Sequence, residues 1–148
     1  MIWQSLLAFA LASVTVVLHA VGTVQVVIPA TAVWSSRSDS PNQPRPIWTL
    51  TRLVSMLLGL HLIEMAVWAA AYTVAGVFPD FETSLYYSLK SYTTVGYGDV
   101  LPAPTWRLLG PIEAAVGILM LGWSTSIIVA AVQRIYNNSR PPGPTNVE

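Results

Sequence analysis

The stretch Thr93-Thr94-Val95-Gly96-Tyr97-Gly98-Asp99 decides how the rest of this chain is read. Carbonyl oxygens normally alternate in direction along an extended strand. Glycines at 96 and 98 reach positive φ at low steric cost, so consecutive carbonyls can turn toward one side. Val95 and Tyr97 then send their side chains to the other side, into packing against a neighbouring helix, and Thr94 adds a hydroxyl oxygen at one end. Such a ladder of oxygens can replace the hydration shell of a dehydrated monovalent cation. One strand covers one side of an ion, so this reading requires four chains around a common axis.

Immediately upstream, Pro79-Asp80-Phe81-Glu82-Thr83 is a helix start: acidic side chains there accept from free amides and complement the dipole. A helix over 82–93 would be about 18 Å long, half the depth of a bilayer. Non-helical backbone at membrane depth is tolerated only when buried in protein or lining a water-filled path. The segment therefore reads as a re-entrant loop, with a half-helix leading in and an extended strand leading out.

On either side lie long apolar stretches. A spanning helix needs about 20 mainly apolar residues, and three stretches qualify: 1–34, 50–77 and 107–136. The first lacks the basic start of a secretory signal and is longer than a signal's apolar core, so a retained span is expected. Between the first two, residues 35–48 form a polar, proline-punctuated connection, and 137–148 read as a disordered tail. Arg37, Arg45 and Arg52 beside the first loop, with Arg134 and Arg140 at the far end, mark the cytoplasmic side. The N-terminus is then outside, the C-terminus inside, and the plasma (cell inner) membrane is the expected location. Hydrophobic residues make up 53% of the 148 residues and charged ones 9%, against about a quarter charged in soluble domains. Seven basic and seven acidic residues cancel, and there is no cysteine, so neither nucleic-acid binding nor a thiolate site is expected. No nucleophile–base pair or clustered metal ligands appear, which disfavours an enzyme. No span carries regularly spaced arginines, so no voltage sensor is expected.

With its membrane context, Thr94-Val95-Gly96-Tyr97-Gly98-Asp99 resembles the selectivity filter of the potassium channel family, in the manner of small prokaryotic-type subunits. The resemblance covers roughly 82–136 and extends weakly to 50–77. It implies an all-α membrane fold of three transmembrane helices with one re-entrant pore helix and filter loop, assembled as a homotetramer. The pore domain would cover 49–136: outer helix 50–77, pore helix 82–93, filter 94–99 and inner helix 107–136. K⁺ would be held at Thr94, Val95, Gly96 and Tyr97, with Gly98 completing the filter and Thr93 and Asp99 supporting its two ends. No cofactor is implied beyond the permeant ion, and the partners are K⁺, lipid and three further copies.

Other residues are read beside this. Gly117 falls where the resemblance places a gating hinge, and Gly122 follows it; mid-helix glycine costs about 1 kcal/mol against alanine, and either bending or close helix packing would be its reason, packing more so for Gly122. Ile118, Leu121, Thr125 and Val129 share one helical face, and the resemblance suggests that it lines the cavity below the filter; lipid or a neighbouring helix is the plainer reading. Lys90 is unusual behind a filter, since a buried ammonium needs a partner; Glu113 is the first choice and Asp99 the second. His61 and Glu64 share a face of the second span, where a hydrogen-bonded pair between helices is expected and a metal site or pH sensor is the alternative. His19 reads as a polar contact in the bundle. Alternatives for the whole chain are a non-conducting scaffold or accessory subunit, a weakly selective cation channel, and an active transporter.

Overall fold

A computed structural model describes residues 2–27 and 46–138. Among these residues the chain is helical throughout, with no strand. Helix α1 runs Ile2–Gly22 and continues as one wider π turn over Thr23–Val27. Helix α2 is Pro46–Val74, α3 is Phe81–Tyr92, and α4 is Leu109–Asn138, preceded by a 3₁₀ turn at Pro104–Trp106. Three helices are long and apolar enough to cross a membrane: Trp3–Gln25, Ile47–Val74 and Pro104–Asn137. The expected linker residues 35–45 and tail residues 139–148, with Arg37, Arg45 and Arg140, lie outside the described residues.

Helix boundaries follow local chemistry. Pro46 opens α2 at its first position, where a missing N–H is harmless and φ is already set; the helix thus starts earlier than the expected 50. It ends at Val74, short of 77, because Gly76 takes φ 69°. The Val77 amide returns to Tyr72 O at 2.9 Å and the Gly76 amide to Thr73 O at 3.1 Å, the paired bonds of a Schellman cap. Asp80 caps α3, its Oδ1 accepting from the Thr83 amide at 2.7 Å and its Oδ2 from the Thr83 hydroxyl at 2.9 Å. These bonds hold the Asp80 carboxyl below the ordinary carboxylate range.

One aromatic core ties the four helices together. Ala8 and Leu11 of α1 meet Trp68 and Tyr72 of α2, Phe78, Tyr87 of α3 and Leu109 of α4. The rings of Tyr72, Phe78 and Tyr87 pack with centroids 4.9–6.1 Å apart, within the range favoured by aromatic pairs. The start of α1, the end of α2 and the start of α4 therefore share one end of the bundle. At the opposite end Leu53 and Leu57 pack on Ile127, Ile128 and Ala131, which brings Arg52 and Arg134 to the same end. The short α3 lies between α2 and α4 and stops partway through the bundle, held by Met65, Tyr92, Val116 and Met120. Large apolar side chains such as Trp3, Phe9, Leu58 and Leu119 remain on the outside, a surface suited to hydrocarbon rather than water.

Candidate functional site: the turn after the half-helix

The backbone leaves α3 through Thr93, whose amide returns to Leu89 O, and the Thr94 amide bonds Ser91 O at 2.9 Å. From there the sign of φ alternates. Thr94 (61°), Gly96 (53°) and Gly98 (76°) are left-handed, whereas Val95 and Tyr97 are not. Alternating left-handed φ is the backbone geometry that can bring the carbonyls of an extended segment, which otherwise alternate, to one side. Glycine enters this region freely; a β-branched threonine there is an outlier, disfavoured by on the order of 1–2 kcal/mol. The Gly96 amide reaches back to Lys90 O at 3.1 Å, tying the turn to its helix. Sequence reading anticipated positive φ at the two glycines and a role for Thr94, but not the left-handed backbone of Thr94, which only the three-dimensional alternation demands.

Val95 is 51% exposed and Tyr97 74%, so half or more of each side chain is uncovered within one subunit, short of the cover that the expected packing against α3 would give. Between the turn, α3 and the start of α4 lies a cavity of about 260 Å³, bordered by Tyr87, Thr94, Gly96, Gly98, Leu101 and Pro111.

Lys90 is nearly buried and pairs with Asp99, not with Glu113. Its Nζ donates to Asp99 Oδ1 at 2.5 Å and to Val100 O at 2.9 Å, and lies 5.0 Å from the Tyr86 ring centre. The Tyr86 hydroxyl donates to the other Asp99 oxygen at 2.5 Å. The ammonium, and then the phenol, hold the Asp99 carboxyl well below the usual carboxylate range. Glu113 is already engaged: the Tyr72 hydroxyl donates to its Oε2 at 2.5 Å, and Ser88 Oγ, which also meets Met65 O, is 2.5 Å from its Oε1. Glu113 thereby joins α2, α3 and α4, while Lys90 bonds Gly96 through its carbonyl and Asp99 and Val100 through its ammonium. Tyr72, Ser88 and Tyr86 were not singled out from sequence; hydroxyls on apolar helices give no signal until their rotation is known.

On α4 the two glycines differ. A Cβ at Gly117 would collide with the carbonyl of Tyr92, whereas one at Gly122 would meet nothing within 4 Å. Close packing thus belongs to Gly117, the reverse of the expected preference. Ile118 (58%), Leu121 (38%) and Val129 (48%) are exposed, as is Thr125, so this face is only partly covered within the chain. His61 and Glu64 do hydrogen-bond, and His19 joins them.

A family model described as "Ion channel" matches residues 60–134, just over half of the chain and including α3, the turn and nearly all of α4. The chain belongs to this ion channel family. Among curated relatives, it is 30% identical over 88 residues to the inward rectifier potassium channel Kirbac3.1 of Paramagnetospirillum magnetotacticum, covering 55% of this chain and 30% of that one. It is 37% identical over 60 residues to the potassium voltage-gated channel protein shk-1 of Caenorhabditis elegans, covering 40% and 11%. It is 29% identical over 84 residues to potassium voltage-gated channel subfamily A member 6 of Mus musculus, covering 55% and 16%. The chain therefore spans less than a third of the length of these relatives. No solved structure matches it significantly.

Proposed function

We propose that the chain is one subunit of a potassium-selective channel, conducting K⁺ passively through backbone oxygens of Thr94, Val95, Gly96 and Tyr97, with Gly98 closing the ladder. The observation that carries this is the alternation of φ sign from Thr94 to Gly98, in a turn that follows a half-length helix. Four chains are required, because one strand offers oxygens to only one side of an ion. The exposed Val95 and Tyr97, and the partly covered face of Ile118, Leu121, Thr125 and Val129, supply the surfaces that a homotetramer would cover. That α4 face would then border the cavity, the C-terminal end of α3 would aim its negative dipole inward, and Asp80, Glu82 and Asp99 would gather cations at the outer mouth. The related channels' names favour potassium as the ion. In this reading no cofactor and no catalytic residue takes part, and the N-terminus faces outward from the plasma membrane.

Purified chain in a planar bilayer, with K⁺ on one side and Na⁺ on the other, tests this. The current should reverse at the K⁺ equilibrium potential, and Gly96→Ala, which forces a side chain onto φ 53°, should abolish that selectivity. Reversal near zero would indicate a weakly selective cation channel; a tetramer without current would indicate an accessory subunit; flux that requires a second coupled ion would indicate a transporter.

A further inference from the structure

Below the filter, five polar side chains from all four helices converge in the interior. His19 comes from α1, His61 and Glu64 from α2, Tyr92 from the end of α3 and Ser124 from α4, all at most 5% exposed. His19 Nδ1 lies 2.9 Å from Glu64 Oε1, and His61 Nδ1 lies 3.3 Å from Glu64 Oε2 and 3.0 Å from the Tyr92 hydroxyl. Tyr92 donates to Glu64 Oε2. On the far side of both rings, Ser124 Oγ is 3.0 Å from His61 Nε2 and 3.4 Å from His19 Nε2.

Without a metal the hydrogen bonds close in one tautomer pair: His61 Nε2 donates to Ser124 Oγ, Ser124 to His19 Nε2 and His19 Nδ1 to Glu64, with the Tyr92 hydroxyl shared by Glu64 and His61 Nδ1. A cation held by both Nδ1 atoms gives a second closed arrangement. Both Nε2 atoms then carry hydrogen, and the two lone pairs of Ser124 Oγ accept both.

We propose that His19 Nδ1, His61 Nδ1, Glu64 and the Tyr92 oxygen form a site for a divalent transition-metal ion of the zinc class. One donor atom from each of His19, His61 and Glu64 lies within 4.8 Å of the others. Zinc bonds of about 2.0–2.2 Å place tetrahedral ligand atoms about 3.3–3.6 Å apart; with Glu64 coordinating through Oε1, the His19–Glu64 and His61–Tyr92 pairs lie at 2.9 and 3.0 Å, and the shorter Tyr92–Glu64 Oε2 hydrogen bond breaks on binding. The charges also balance. Two neutral imidazoles, the Glu64 carboxylate and a Tyr92 phenolate cancel the +2 ion, as an apolar interior demands; the Tyr92 proton leaves to solvent. Ser124 is the outer partner that fixes both ring orientations, as such partners do in zinc sites. The site would fasten α1, all of which lies outside the residues matched by the family model, to the residue that ends the half-helix. It stands independently of K⁺ conduction.

The test uses the full chain, purified in detergent and stripped with chelator, then titrated with Co²⁺ and Zn²⁺. The expected result is one Co²⁺ per chain with the intense visible bands of tetrahedral cobalt, displaced by Zn²⁺, with proton release and a near-ultraviolet tyrosinate signal. His19→Gln, which can still hydrogen-bond, should weaken binding by more than roughly 100-fold, beyond the effect of outer-partner changes. Tyr92→Phe should remove the tyrosinate signal and distort the cobalt spectrum, and Ser124→Ala should weaken binding about tenfold. Circular dichroism and elution volume report that each variant is folded. Absence of stoichiometric Co²⁺ or Zn²⁺ on the wild-type chain, or equal affinity in folded His19→Gln, would overturn the proposal.

Discussion

Lys90 shows how much one side chain's direction decides. It sits on α3 but reaches forward past the filter turn to Asp99 and Val100, so it bridges the turn from behind. Lys90→Ala removes a donor to each of these oxygens and leaves the backbone from Thr94 to Gly98 intact. The expected outcome is unchanged preference for K⁺ over Na⁺ with faster decay of current during a sustained pulse, read in the same bilayer. Acid acts on the same bridge from the other partner. Because Asp99 has its carboxyl pKa lowered by Lys90, the pair is complete above the ordinary value of about 3.9. It is lost only as pH falls through the lowered value. Acidifying the outer solution from neutral to roughly pH 4 should therefore leave decay kinetics unchanged, whereas Asp99→Asn should speed decay at every pH. The motif and its glycines were readable in the sequence because they encode backbone conformation locally. Lys90's partner was not, because Asp99 and Glu113 both lie within plausible reach until helix rotation is fixed.

At the scale of the elements, α3 is held by polar side chains as well as by the apolar packing of Tyr87 and Tyr92. Asp80 caps its start, Ser88 meets Glu113, and Tyr92 meets Glu64. Glu113→Gln keeps an acceptor and should be mild. Glu113→Leu strands the Tyr72 hydroxyl in the interior, Ser88 keeping Met65 O, and should destabilise the fold by about 1–3 kcal/mol, measured as a lower thermal midpoint in detergent. On α4, Gly117→Val must displace the Tyr92 backbone, and overpacking of this kind costs typically about 1–3 kcal/mol. Gly122→Ala has room and should stabilise the helix by up to about 1 kcal/mol; the same thermal measurement ranks the two. Hydrophobic runs revealed the three long helices, but the Schellman turn at Gly76 and the early start at Pro46 shifted their ends, since caps outrank hydropathy at a terminus.

At the scale of the whole molecule, Val95, Tyr97 and the α4 face of Ile118, Leu121 and Val129 are partly exposed, the surfaces that the proposed tetramer would cover. Chemical cross-linking in native membranes should trap a species four times the monomer mass, and a stable monomer that conducts would contradict the assembly. The helix α1 is attached by Trp68 Nε1, which donates to Thr15 Oγ1 at 2.9 Å, and by the His19 contacts. Thr15→Val should loosen it at a cost of about 1–3 kcal/mol, because the indole N–H is left unpaired. With no native cysteine, Trp3→Cys and Asn137→Cys give clean labels for topology. An impermeant thiol reagent applied outside should reach the first and spare the second.

The collision that awaits any side chain at Gly117 has a mechanical corollary. The first half of α4 is riveted to the end of α3, while at Gly122 one side of the helix is open and the turns beyond it pack on α2 through Ile127, Ile128 and Ala131. In the proposed channel, the inner mouth can widen by swinging only the lower portion of the helix. The oxygen ladder above the rivet then keeps its spacing whether the passage below is wide or narrow.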